Sequence, residues 1–246
     1  SGNRNYDDGL RLYQIRRDSR YLKMPGVLFI LEIYWCIEKR KYRFSQNNDR
    51  MIKRKEYQVR KEQEKNMGHF YFVRHGQTVW NVENKICGAT DIALTEKGHQ
   101  QAIETGHEIL RKGIKADEIL YSPLMRAADT AKHISEITGI PARVEPRLIE
   151  QNFGKYESTP RNGEEFQLAK QQFVTRYDGG ESMLHLAQRI YNLLDDIKAE
   201  SNHKTYILVA HNGISRVIQS YFYEMTNAEY AAFGIKNCEV RKFDFE

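Results

Sequence analysis

Cysteine is scarce in this sequence: Cys36, Cys87 and Cys238 are the only three in 246 residues, and no CxxC pair occurs. That pattern argues against a disulfide framework and a thiolate zinc site, and it suits a reducing cytoplasm. Long hydrophobic runs are nearly absent as well. The longest, residues 27–37 (VLFILEIYWCI), has 11 residues and is interrupted by Glu32, which is too short for a membrane-spanning helix. A basic flank precedes it, as in a secretory signal, but KRKYRF follows where small residues at a cleavage site would stand. No internal repeat or low-complexity tract appears beyond residue 67.

The formal charge of +5 invites a nucleic-acid reading, and its distribution argues against one. Residues 1–66 hold 17 Lys and Arg against 9 Asp and Glu, whereas residues 67–246 hold 21 against 24. The basic excess belongs to an N-terminal extension, and the body is mildly acidic, so no nucleic-acid partner is expected. The stretch 48–65 is almost wholly charged and reads as a solvated helix or a linker. Two readings of 1–66 stand: an accessory basic extension upstream of a natural start at Met67, or a membrane-surface anchor. A membrane is the less favoured partner. The main domain is expected over 67–246, long enough to bury a sizeable core.

What the body does contain is an alternation of strands and helices. His69–Val73 is a short apolar run of strand type. Over Leu94–Leu110, the residues Ala102, Ile103, Gly106, Ile109 and Leu110 form a helical stripe with Thr95 as N-cap. Glu118–Tyr121 reads as a buried strand, and Ser122-Pro123 as the cap and first turn of a helix running to about Thr138. Ala142–Val144 and Leu148 are extended candidates, Glu164–Tyr177 supplies one helix, and Ser182–Ala199 another. Thr205–Ala210 is the most strand-like run, followed by a helix over Gly213–Phe222. The expected architecture is a three-layer α/β/α sandwich with a mostly parallel central sheet, which binds ligands beyond the carboxyl ends of its strands.

Those ends carry the chemistry. Arg74, His75 and Gly76 follow the first strand, Arg126 lies a few residues past the second, and His211, Asn212 and Gly213 follow the strongest. Two arginines and two histidines at one rim make a cationic pocket. Arginine's planar fork matches the oxygens of a tetrahedral oxyanion, and a neutral imidazole nitrogen can attack phosphorus. The helix after Asn212 and Gly213 can add backbone N–H groups. An Arg-His pair at a strand end is by itself more often a solvated terminus, and SPxxR more often a helix start. Their order and equivalent positions make the argument.

Taken in order, RHGQTVWN at 74–81, CGATDIALTEKGHQQA at 87–102, YSPLMRAADTA at 121–131, LIEQNFGKYES at 148–158 and VAHNG at 209–213 resemble the histidine phosphatase superfamily, also called the phosphoglycerate mutase-like family. The resemblance covers about 67–246. It implies His75 as the phosphorylated nucleophile, Arg74, Arg126 and His211 as a phosphate clamp, Asn81 as a further phosphate ligand, and Glu150 as proton donor. It places backbone at Cys87, Gly88 and Asn212 next to substrate. It implies no metal and no cofactor, a small phosphomonoester as partner, and leaves a homodimer open. Two positions depart from the family pattern: Tyr156-Glu157-Ser158 stands where Trp-Glu-Gly is common, and Asn212 where glycine is common. Both bear on leaving-group selection more than on phosphoryl transfer.

Transfer from a phosphomonoester needs an in-line nucleophile, charge stabilisation on the equatorial oxygens, and a proton for the departing alkoxide. His75 supplies the first, both arginines with His211 and Asn81 the second, and Glu150 the third. Glu150 must then meet the substrate protonated, through partial burial or the dianion beside it, and activate water as a carboxylate in the second half-reaction. Only 61 positions separate Glu150 from His211, which leaves little room for the long insertion that the resemblance assigns to mutases. Phe153, Tyr156, Phe166, Phe173 and Tyr177 are expected to form a partly apolar lid over the leaving group. The expected function is hydrolysis of small phosphorylated metabolites, with a phosphoglycerate mutase and a non-catalytic phosphate-binding protein as alternatives.

Overall fold

In the computed structural model, residues 52–55, 57 and 68–245 are described. The apolar run 27–37 and most of the charged stretch before Met67 lie outside them. The chain divides into Ser1–Lys65 and Asn66–Glu246, and the fold below is that of the second unit.

Its sheet contains β1 (His69–Arg74), β2 (Glu118–Tyr121), β3 (Ala142–Val144), β4 (Tyr206–Ala210) and β5 (Val240–Asp244) in the order β3-β2-β4-β1-β5. The first four run parallel, and β5 pairs antiparallel with β1. The helices are α1 (Val79–Val82), α2 (Glu96–Arg111), α3 (Met125–Thr138), α4 (Glu164–Ala169), α5 (Met183–Glu200), α6 (Asn212–Phe222) and α7 (Asn227–Ala232).

Strand alternation sorts the side chains into two cores. Phe70 and Phe72 of β1 with Leu208 and Ala210 of β4 pack against Leu186, Ile190 and Leu194 of α5 and Ile214 and Ile218 of α6. Val73, Ile207 and Val209 point the other way, onto Ile109 of α2 and Ala127, Ala131 and Ile134 of α3. A sheet covered on both faces needs strands apolar throughout, and all five residues of β4 are buried. The predicted three-layer sandwich is thus present. Phe72 is fully buried, so its truncation to alanine would cost about 3–5 kcal/mol.

Four local details differ from the sequence reading. The helix expected to start at Ser122-Pro123 begins instead at Met125, with Leu124 as its cap. Ser122 is fully buried, its hydroxyl lies 2.7 Å from His211 Nε2, and it accepts from the Leu124 N–H at 3.4 Å, one residue short of the helix proper. The single helix expected over Glu164–Tyr177 stops at Ala169; Tyr177 and Asp178 then adopt φ of 53° and 52°, a left-handed conformation no helix continues through. Leu148 closes a 3-10 turn over Pro146–Leu148 rather than a strand. Finally, β5 (VRKFD) carries no strand signal in the sequence, because only Phe243 among its five residues is fully buried. Among the described residues, no helix is long and apolar enough to cross a membrane.

Candidate active site

Parallel register aligns the functional strand ends. Arg74 pairs with Ala210, and the His75 N–H donates to the Ala210 carbonyl at 2.9 Å. Tyr121 pairs with Val209, and the Ser122 N–H donates to the Val209 carbonyl at 3.0 Å. Just beyond, the His75 and His211 rings lie with centroids 5.1 Å apart. The structure therefore brings the predicted pair to one rim.

His75 is 4% exposed, and its Nδ1 lies 2.7 Å from the Gly76 carbonyl. A carbonyl only accepts, so Nδ1 carries the hydrogen and Nε2 keeps its lone pair. Burial, followed by the charges of Arg126 and Arg74, holds His75 well below the usual histidine range, so the ring is neutral at pH 7. His211 is lowered in the same way, by burial first and then by Arg126 and His75. Its Nε2 lies 2.7 Å from the Ser122 hydroxyl.

Arg126 is fully buried on α3, donating through Nη1 to Thr90 O at 2.9 Å and through Nη2 to Gly88 O at 2.7 Å. Arg74 donates through Nη1 to Ile235 O at 2.7 Å. Burial, with Arg161 next, brings Arg74 down to about 10, still a cation at neutral pH. Among the described residues, the buried side-chain nitrogens and oxygens without a partner are Arg74 Nε, Arg126 Nε and His211 Nδ1. All three belong to this rim. An unmet buried polar group costs about 1–3 kcal/mol, and two of these three, the arginine Nε–H groups, can only donate, so the cluster suits acceptor oxygens.

Glu150, 4% exposed, accepts from the Gly213 N–H at 2.8 Å and the Gln151 N–H at 2.9 Å. Gly213 lies in the first turn of α6, where N–H groups point outward and favour an anion. A β-carbon at Gly213 would fall 2.4 Å from Glu150 Oε1, so the close approach requires glycine. Asn81 accepts through Oδ1 from the Thr78 N–H at 3.2 Å and from Asn237 Nδ2 at 3.3 Å, which leaves its NH2 group free to donate elsewhere.

The three backbone positions behave differently from one another. Both polar groups of Gly88 are engaged within the protein: its N–H donates to Glu157 and its carbonyl accepts from Arg126. Cys87 is half-buried, its thiol pushed up by burial. The Asn212 side chain accepts from the Ile235 N–H at 3.0 Å, so the residue that replaces the family's usual glycine pins the segment that also holds Arg74.

Several residues at the site were not singled out by sequence. Glu157 accepts from the N–H groups of Gly88, Ala89 and Phe153, each at 3.0 Å, and of Thr90 at 3.4 Å. It thereby fixes the loop whose carbonyls aim Arg126. Asn237 donates to His75 O at 2.8 Å, and Thr130 accepts from the Gly76 N–H at 3.1 Å. The expected aromatic lid is also built differently. Tyr156, Phe166 and Tyr177 are buried with Ile86 in a small core of their own, with the half-buried Phe153 packed against it, and Phe173 packs on Tyr230.

A family model described as histidine phosphatase superfamily (branch 1) matches residues 70–246. A curated relative from Erwinia tasmaniensis, named "Probable phosphoglycerate mutase GpmB", is 31% identical over 183 residues, which is 72% of this chain and 84% of that protein. Among solved structures, a mycobacterial glucosyl-3-phosphoglycerate phosphatase is similar with a TM-score of 0.61 and 27% identity, covering 72% of this chain and 89% of that one. Phosphoserine phosphatase from Entamoeba histolytica, solved in complex with 3-phosphoglyceric acid, gives a TM-score of 0.62 and 29% identity over 71% of this chain and 89% of that one.

Proposed function

This chain belongs to the histidine phosphatase superfamily, and from that premise we propose that it hydrolyses small phosphomonoesters through a phosphohistidine formed on His75. The observation that carries the reading is the convergence of a neutral His75 with three unpartnered buried nitrogens, Arg74 Nε, Arg126 Nε and His211 Nδ1. In the first step Nε2 of His75 attacks phosphorus and the ester P–O bond breaks. The two arginines, His211 and the free NH2 of Asn81 hold the equatorial oxygens, and Glu150 hands its proton to the leaving oxygen. In the second step the Glu150 carboxylate takes a proton from water, the hydroxide attacks phosphorus, and the P–N bond breaks to release inorganic phosphate. The Gly213 and Gln151 N–H groups hold Glu150 in place for both steps.

The test is a panel of phosphomonoesters with phosphate release measured directly, combined with rapid quench for an acid-labile phosphoprotein. Release that vanishes in His75→Gln supports the reading. Phosphate binding without release from any monoester would leave only a binding protein. A mutase is the second reading, favoured by the name of the Erwinia tasmaniensis relative. Against it, only α4, of six residues, and α5 are α-helical between Glu150 and His211. Isomerisation of 3-phosphoglycerate outrunning phosphate release would decide for the mutase. The proposed setting is the cytoplasm, in keeping with the free thiols of Cys87 and Cys238.

A further inference from the structure

The two rim histidines meet different kinds of partner. His75 Nδ1 lies 2.7 Å from the Gly76 carbonyl, which only accepts, so that ring donates there and keeps its lone pair on Nε2. His211 meets a hydroxyl instead, with Ser122 Oγ 2.7 Å from Nε2. A hydroxyl can give or take, so the direction of this bond is decided by what else surrounds the oxygen.

Backbone pairing fixes the two residues relative to each other. Ser122 follows β2, and its N–H donates at 3.0 Å to the carbonyl of Val209 on β4, two residues before His211. Ser122 is fully buried and His211 is 1% exposed, so neither side chain can turn to water. Among the described residues, Ser122 Oγ has one other hydrogen-bond neighbour, the Leu124 N–H at 3.4 Å. An N–H only donates, so it occupies an oxygen lone pair and offers the hydroxyl hydrogen nothing. His211 Nε2 is the acceptor that remains for that hydrogen.

The opposite direction is worse by one buried group. If Nε2–H donated to Ser122, the serine hydrogen would be left unmet in addition to His211 Nδ1, which already has no partner. Each buried polar group without a partner is costly. Burial, followed by the charges of Arg126 and His75, keeps the His211 ring neutral, and a neutral ring carries one hydrogen. With Nε2 accepting from Ser122, that hydrogen sits on Nδ1.

We propose that Ser122 is a positioning residue that holds His211 in its Nδ1–H form, so that the ring offers an anion at the rim a donor instead of a lone pair. The two imidazoles, with centroids 5.1 Å apart, then carry opposite tautomers. The Gly76 carbonyl leaves His75 a free lone pair, and the Ser122 hydroxyl leaves His211 a free hydrogen. All three unpartnered nitrogens of the rim thereby become donors. Donation to a phosphoryl oxygen rests on the phosphomonoesterase reading; the tautomer does not.

Nitrogen-15 NMR of the full chain, labelled in its histidine rings, reads the tautomer directly at neutral pH, because hydrogen-bearing and bare ring nitrogens resonate far apart. The His211 signals are identified by their loss in His211→Gln. The wild-type chain should carry the hydrogen on Nδ1. A free histidine side chain prefers Nε2–H, so Ser122→Ala should move the hydrogen towards Nε2. Ser122→Cys, close in volume and a weaker donor, carries the same comparison should the alanine variant not fold. Inorganic phosphate, titrated by calorimetry, should bind Ser122→Ala on the order of 10-fold more weakly, the worth of one hydrogen bond, since a bound anion can draw the hydrogen back to Nδ1. A hydrogen on Nε2 in the wild-type chain overturns the proposal. So does an Nδ1–H pattern that persists in the variants, or a phosphate affinity that persists while only the melting temperature falls. Monoester turnover is read separately. A chain that hydrolyses no monoester yet shows the Ser122-dependent tautomer loses the phosphatase reading and keeps this one. A chain that hydrolyses monoesters with the hydrogen on Nε2 loses only the role of Ser122.

Discussion

The floor and the outer wall of the pocket are built on different principles. The floor rests on the carboxyl ends of β1, β2 and β4, whose parallel register puts His75, His211 and Ser122 in fixed relation. The wall, residues 153–180, has one short α-helix and one 3-10 turn, and Gly154, Ser158, Tyr177, Asp178 and Gly179 all have positive φ. The floor leaves three buried nitrogens unpartnered, whereas the wall surrounds even a carboxylate, with four N–H groups on Glu157. The wall can be irregular because its own small core and the Glu157 clasp hold it.

Substitutions in the floor should have the largest effects. His75→Gln should reduce turnover to background, and Arg126→Ala should cost about 2.7–4 kcal/mol of transition-state stabilisation, read as kcat/KM. Comparable residual activity in both variants and wild type would place the chemistry elsewhere.

Glu150 lies where floor and wall meet, and its effect should depend on the leaving group. In Glu150→Gln, alkyl phosphates should slow by roughly 10²–10⁴-fold. An activated aryl phosphate should still phosphorylate His75, giving a stoichiometric burst of phenol and then slow turnover. Equal losses on both substrate types, with no burst, would make Glu150 structural.

A wall substitution should act more weakly. Glu157→Ala releases the loop that aims Arg126, and displacement of a positioned group by about 1 Å costs on the order of 10²-fold. The loss should appear in kcat more than in KM and be partly recovered in Glu157→Gln, which keeps two acceptor positions on one oxygen. A fall in melting temperature with unchanged kcat would reduce Glu157 to a fold-stabilising residue.

Smaller still is the acid dependence of stability. His75 and His211 are lowered in the folded chain, so the unfolded chain takes up protons first as pH falls through about 6.5. The stability tied to their neutral rings is therefore present above that value and lost below it, at up to about 1.4 kcal/mol per pH unit for each ring. The melting temperature should drop between pH 7 and 5.5, and His211→Asn should flatten the slope; an unchanged slope would mean that the ring titrates normally. The smallest effect is expected from a chain starting at Met67, since every proposed site residue lies beyond it. Soluble protein with wild-type kcat/KM is the expected outcome, and loss of turnover would give residues 1–66 a part in the site.

The same division explains what could be read in advance. FYFV and TYILVA are uniformly apolar because both faces of their strands are covered, and that signal survives in sequence. A polar residue directly after such a run stands at a sheet rim, which is how Arg74, His75 and His211 could be placed together. Ser122 misled, since a serine before proline suits a cap as well as it suits a partner for a buried imidazole. Nothing periodic marks Glu157 or Asn237, because each acts through a loop carbonyl or N–H whose position only the folded chain defines. The wall's helix was overextended for a related reason: the left-handed turn at Tyr177 and Asp178 uses residues with no strong local preference for it.

The long-range ties of β1 also set the order of assembly. His75 receives its hydrogen bond from Asn237 across 162 positions, Arg74 donates to Ile235 across 161, and β5 completes the sheet edge beside them. Contacts of such separation close large loops and form late in folding. During synthesis at about 5–20 residues per second, the strand that ends just before His75 leaves the ribosome roughly 8–30 s before the segment that secures it. His75 is made early, and the rim around it can be completed only once that last segment has emerged.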